Sequence, residues 1–211
     1  MKLYNANLSP NAMRVRAVVN ELGLTVETID VDLRKGENKT PAYLALNPNG
    51  KVPVLVDGDF VLWESRAIDA YLAALNPDRG LYPTDLRKRA IVDQWSYWQA
   101  VHLAPAIQRV VFERLLKKRF GAGEPDEKAI EPQLKDVAQF LPVLDAGLAG
   151  KEWAAGALSI ADFALASTFP YARAAGLPID DFANISAWYA RMETRPSWQK
   201  AVAPVLGFIS G

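Results

Sequence analysis

Two serines in the first third of the chain stand where a hydroxyl can do chemistry. Ser9 precedes Pro10-Asn11 at the expected start of one helix, and Ser65 follows Glu64 at the start of another. The first turn of a helix presents unpaired N–H groups and about half a positive charge, so it stabilises a neighbouring anion. A hydroxyl placed there donates one further hydrogen bond. If the anion is a thiolate, the thiol becomes more acidic and a sulfur nucleophile is available at neutral pH. The amide of Asn11, two residues on, is a second candidate donor to the same anion. Both serines also suit the plainer role of helix cap.

Further groups accompany them. Gly50-Lys51-Val52-Pro53 leads into the apolar run Val54–Val56. A proline that opens a strand leaves the residue before it outside the ladder, with its backbone groups available to an extended peptide. Glu64 can pair with a ligand ammonium, and the backbone N–H and hydroxyl of Ser65 with a carboxylate. Asn38-Lys39 and Lys51 supply two cations and an amide for a second carboxylate, although alone they read as a solvated surface. Together these groups complement a short peptide that carries an ammonium, two carboxylates and a thiol.

The elements that must position them alternate in type. Lys2–Asn5 reads as a strand and Pro10–Leu22 as a helix, with Ser9 at its cap, Pro10 in its first turn and Gly23 at its stop. Val26–Asp32 alternates like a strand, and Thr40–Leu46 is a short helix opened by Thr-Pro. After the turn cluster Asn47-Pro48-Asn49-Gly50, Val52–Val56 and Phe60–Trp63 flank Asp57-Gly58-Asp59 as a hairpin. Ser65–Leu75 is amphipathic, with Ile68, Tyr71, Leu72 and Leu75 on one face. The order β-α-β-α-β-β-α fills residues 1–76, and 77–85 reads as a linker. Residues 86–211 read as all helical, with segments expected at Leu86–Arg119, Asp126–Ala149, Ile160–Ala174, Ile185–Arg195 and Ser197–Ala203. Ser159-x-x-Asp162 is a capping motif. Trp95 and Trp98 have core spacing. Leu8, beside Ser9, and His102 and Phe112 on the first long helix are candidates to line an apolar pocket.

Composition excludes several classes. Among 211 residues there are 24 Lys+Arg, 24 Asp+Glu, one histidine and no cysteine. A disulfide framework, a zinc–thiolate site and a protein thiol nucleophile are therefore ruled out. Residues 1–76 carry 8 basic and 9 acidic side chains, and the remainder 16 and 15. Neither half is a basic body, so binding to nucleic acid or an anionic membrane through net charge is not expected. No apolar run is long enough to span a bilayer. The segment MKLYNANLSP lacks the features of a secretion signal, and a cytoplasmic location is expected.

Four motifs in order, Ser-Pro-x-x-x-Arg-Val (Ser9–Val15), Gly-Glu-Asn-Lys-x-Pro (Gly36–Pro41), Asn-Pro-Asn-Gly-Lys-Val-Pro-Val-Leu (Asn47–Leu55) and Asp-Gly-Asp…Trp-Glu-Ser-Arg-Ala-Ile (Asp57–Ile68), carry a resemblance. The first domain resembles the cytosolic glutathione S-transferases, most closely the serine-type phi and theta classes and their bacterial relatives. Leu158-Ser159-Ile160-Ala161-Asp162 and Arg195-Pro196-Ser197-Trp198 extend it to the second. The resemblance implies an α/β thioredoxin-like N-terminal domain followed by an all-α helical C-terminal domain that contributes the electrophile pocket. It implies glutathione as co-substrate, no metal, and a homodimer. It casts Ser9, or Asn11, as the partner of the glutathione thiolate. Val52 would pair through its backbone with the cysteinyl part, before a cis Pro53. Glu64 and Ser65 would bind the γ-glutamyl end, and Asn38, Lys39 and Lys51 the glycyl carboxylate. Phi-type proteins often carry His-Lys where this chain has Asn38-Lys39. The implied reaction is conjugation of glutathione to small hydrophobic electrophiles. Peroxidase, dehalogenase or isomerase chemistry and non-catalytic ligand binding are the alternatives on the same fold. The lack of cysteine disfavours disulfide exchange.

Overall fold

A computed structural model describes the whole chain, Met1–Gly211. The first elements follow from local chemistry. Strand β1 (Lys2–Asn5) leads to helix α1 (Pro10–Leu22), where Ser9 Oγ accepts a hydrogen bond from the Ala12 N–H at 3.3 Å. Gly23 closes α1 in the left-handed conformation, φ 69°. Strand β2 (Glu27–Asp30) is shorter at both ends than the alternation suggests. Helix α2 (Pro41–Leu46) is capped by Thr40 Oγ1, which accepts from the Tyr43 N–H. Strands β3 (Val54–Asp57) and β4 (Phe60–Trp63) form the expected hairpin, and α3 (Ser65–Ala74) follows.

The strands make one mixed sheet in the order β2-β1-β3-β4. β1 runs parallel to β2 and antiparallel to β3, and β3 is antiparallel to β4. Alternation sends successive side chains to opposite faces. Tyr4 and Val54 lie on the α2 side, in a cluster with Val31, Tyr43 and Val52. Leu3 and Leu55, their neighbours in sequence, are buried on the other side. On α3, Ile68 and Leu72 are fully buried, but Leu75, expected on the same face, is half exposed. It is the C-cap, at the very end of the helix, beyond the buried stretch of that face.

The chain forms two compact units, one of Met1–Pro83 with Pro196–Gly211 and one of Thr84–Arg195. The second begins with α4 (Leu86–Trp98), whose cap Asp85 accepts from the Arg87 and Lys88 N–H groups at 3.0 Å. The single helix expected through Arg119 is instead a helical path with two wide π turns, Gln99–Leu103 and Phe112–Leu116. The first separates α4 from α5 (Ala104–Val111) and the second separates α5 from α6 (Lys117–Arg119). The first π turn ends two residues before Pro105, which has no N–H to offer the preceding turn. Helix α7 (Glu131–Leu148) follows. One helix was expected over Ile160–Ala174; there are two, α8 (Ile160–Ala166) and α9 (Phe169–Ala174). Pro170 sits in the first turn of α9, where its ring is tolerated; in a continuous helix it would clash with the carbonyl of Ala166. Helix α10 (Ala183–Glu193) closes the unit.

Asp162 has the structural role expected of it. The Ser159–Asp162 capping box opens α8, and Asp162 Oδ1 also accepts from Ala154 N and Trp188 Nε1, each at 2.9 Å. The last helix, α11 (Pro196–Ser210), packs on α1 in the first unit. Arg16 Nη2 donates to Ala201 O at 2.8 Å, Asn20 Nδ2 donates to Ser197 O at 3.1 Å, and the Ser197 hydroxyl donates to Glu21.

Candidate active site in the N-terminal unit

Strand register gathers the chemistry-bearing loops. Tyr4 pairs with Val54, Val54 with Trp63, and Asn5 with Asp30. Because β3 runs against β1 and β4, the exits of β1, β2 and β4 and the entry to β3 lie at one end of the sheet. Ser9 and Asn11, Asn38 and Lys39, Lys51 to Pro53, and Glu64 and Ser65 all follow or precede those ends.

Ser9 Oγ spends an acceptor position on its own helix, and the hydroxyl hydrogen remains to be donated. Capping and anion binding are therefore compatible in one side chain. The loop before it is tied down by residues the motif did not point to. Arg16 Nη1 donates to Asn5 Oδ1 at 2.6 Å, Arg16 Nη2 to Asn7 O at 3.1 Å, and Asn5 Nδ2 to Asp30 Oδ1 at 2.6 Å. Asn11 is half-buried, and its Oδ1 accepts from Nη2 of Arg14 at 2.8 Å. Arg14 is fully buried. One signal for it was present in the sequence: an arginine inside the apolar stripe of α1, between Met13 and Val15 and four residues before Val18.

The Val52–Pro53 peptide is cis, and Val52 lies outside the ladder, which starts at Val54. The Lys51 carbonyl accepts from Tyr43 OH and Asn47 Nδ2, both at 2.8 Å. Burial pushes the Tyr43 hydroxyl up to about 12, so it stays a donor. Asn38 Nδ2 donates to Gly50 O at 2.6 Å and joins the two loops. Gly50 has φ 59°, and a Cβ there would fall 2.8 Å from Lys39 Nζ and 2.9 Å from Asn38 O. Only glycine fits both the angle and the space. Lys39 and Lys51 are both exposed residues.

Glu64 is the one non-glycine residue with positive φ, at 72°. Such a conformation costs about 1–3 kcal/mol and concentrates at functional sites. It turns the chain from β4 into α3, so that Ser65, 5% exposed, is the first residue of the helix. Behind it lies Asp69. Burial pushes its carboxyl up to about 7, against the opposing pull of Arg14 and Arg66.

Leu8 is exposed beside Ser9. In the helical unit His102 lies in the first π turn, its ring 5.3 Å from that of Phe140 and 6.4 Å from that of Trp98. Phe112 lies in the second π turn, with the Arg109 guanidinium 5.9 Å from its centroid. Trp95 is buried and packs edge-on against Trp98, as its spacing suggested. No group of three or more His, Cys, Asp or Glu side chains is arranged to hold a metal ion, and no helix is long and apolar enough to cross a membrane.

Residues 1–74 match the glutathione S-transferase N-terminal domain family, and residues 102–196 match the glutathione S-transferase C-terminal domain family. This chain belongs to the glutathione S-transferase family. A probable glutathione S-transferase of Oryza sativa subsp. japonica is 37% identical over 210 residues, covering 96% of each chain. A solved glutathione S-transferase-I bound with lactoylglutathione superposes with TM-score 0.87 at 33% identity, covering 96% of this chain and 98% of that one. A theta-class glutathione S-transferase from Xanthomonas axonopodis pv. citri, with glutathione bound, also has TM-score 0.87 at 33% identity, covering 97% and 98%. As in this family, the four-stranded unit is the thioredoxin-like half and glutathione is the co-substrate.

Proposed function

We propose that this glutathione transferase lowers the pKa of the glutathione thiol at Ser9 and Asn11 and adds the resulting thiolate to small hydrophobic electrophiles. The observation that carries this reading is the convergence of four loops at one end of the sheet, set by the register Tyr4–Val54–Trp63. The α1 N-terminus supplies positive potential and the unspent Ser9 O–H supplies a donor. The Val52 backbone, free of the ladder, pairs with the cysteinyl unit. Ser65 N–H and hydroxyl receive the γ-glutamyl carboxylate, and Glu64 its ammonium. Lys39 and Lys51 take the glycyl carboxylate, while Asn38 braces the Gly50 turn between them. Leu8 is the contact offered to the electrophile beside the sulfur. Conjugation requires the electrophilic carbon and the thiolate to meet at close range, and holding both reactants supplies several kcal/mol toward the barrier.

The enzyme acts as a homodimer in the cytoplasm, with a detoxifying role suited to broad electrophile acceptance. The test is conjugation of a generic aryl halide. Ser9→Ala is expected to lower kcat/KM about tenfold or more, equivalent to one hydrogen bond to an anion, while the variant is still retained on immobilised glutathione. Failure of the unaltered protein to bind that resin would overturn the ligand assignment. Full activity in Ser9→Ala would overturn the role of the hydroxyl.

A further inference from the structure

We propose that Arg14 is a positioning residue for thiolate formation: it holds Asn11 Oδ1 from inside the domain and so turns the Asn11 amide hydrogens toward the sulfur. The inference rests on glutathione occupying this end of the sheet. Arginine carries only donors, so the Asn11 atom that faces it at 2.8 Å is the carbonyl oxygen. The Nδ2 group, on the opposite side of the planar carboxamide, points away from Arg14. It makes no hydrogen bond within the chain and is two residues beyond Ser9, in the same first turn.

Arg14 is an unusual residue to bury for packing alone. It is 0% exposed, and its Nε and Nη1 have no hydrogen-bond partner. Both carboxylate oxygens of buried Asp69 are likewise without one. A buried charge with unspent donors is costly, and such groups call for an explanation. The charges around Arg14 are Arg66, Asp69 and Glu64, all from the β4–α3 corner. Two guanidinium groups thus stand with one buried and one exposed carboxylate just inside the region where an anion is to form. In a low-dielectric setting the Arg14 charge polarises the carboxamide it grips, and the Asn11 N–H becomes a stronger donor. The arginine need not touch the ligand to favour its thiolate.

The experiment is a pH titration of thiolate absorbance for glutathione bound to each variant, with the affinity for S-methylglutathione, which has no thiol, measured beside it. Asn11→Asp keeps an oxygen for Arg14 and replaces the donor with a second acceptor. The thiol midpoint is expected to rise by about one pH unit or more, a tenfold loss of thiolate, while S-methylglutathione affinity stays within about twofold. Asn11→Ala and Arg14→Met are each expected to raise the midpoint. In the Asn11→Ala background Arg14→Met adds nothing, because the arginine acts through the carboxamide. If Arg14→Met does not fold, Arg14→Lys, which keeps a charge but loses the fork, takes its place in the cycle. Additive effects of the two sites, or an unmoved midpoint in Asn11→Asp, would overturn the proposal. Absence of S-methylglutathione binding to the unaltered protein would instead overturn the glutathione site itself.

Discussion

Asp69 makes the electrostatics of the α3 corner measurable. Its carboxyl in the folded chain titrates near 7 because burial outweighs the neighbouring arginines, whereas in the unfolded chain it titrates near the ordinary value of about 4. The native state therefore holds the proton more tightly. Stability from this group is fully present below about pH 4 and is lost as the pH rises through 7. Asp69→Asn removes that loss, so its denaturation midpoint is expected to vary less between pH 4 and 8 than that of the unaltered chain. Parallel profiles for the two proteins would count against it. At this scale the Ser9 cap and the strand-opening Pro53 were legible, because caps and strand-opening prolines are local devices. Arg14 stood in the first motif without a role, since its importance comes from burial, and burial depends on α3, more than 40 residues away.

Helices and strands repay the same comparison. α1 begins and ends where its caps dictate, at Ser9 and Gly23, whereas α3 starts after Glu64 without a side-chain cap bond, and Ser65 is its first helical residue rather than its cap. The long helices were less legible. The π turns in Gln99–Leu103 and Phe112–Leu116 insert extra residues with no glycine or proline inside them, so no breaker residue marks them within the turns. Gly147 gives an element-scale test. It sits inside α7, where alanine has the better helix propensity by up to about 1 kcal/mol. A Cβ there would lie 2.4 Å from two atoms of the Trp95 ring. Gly147→Ala is therefore expected to destabilise the protein by about 1–3 kcal/mol, as overpacking does. Chemical denaturation reads this directly; a stabilised variant would mean that Trp95 moves aside freely.

On the scale of the whole molecule, α11 shows how little chain order says about partnership. It is the last element in sequence, yet Trp198, Ala201, Val202 and Val205 are buried in the unit that begins at Met1. The proposed homodimer also belongs to this scale. On edge strand β4, Phe60, Val61 and Trp63 are exposed in the single chain, a liability unless something covers them. Sedimentation at micromolar concentration is expected to give twice the chain mass, and a stable monomer would refute the assembly. The sequence by itself determined the order of elements in residues 1–76, the cap of α1 and the hairpin turn, because each depends on interactions within a few residues. Only the tertiary structure decided that four separate loops share one sheet end, that Arg14 reaches Asn11 from a buried position, and that α11 closes over α1. Those outcomes depend on strand register and on packing between distant segments, whose free energy is set by the whole fold and by no single stretch of chain.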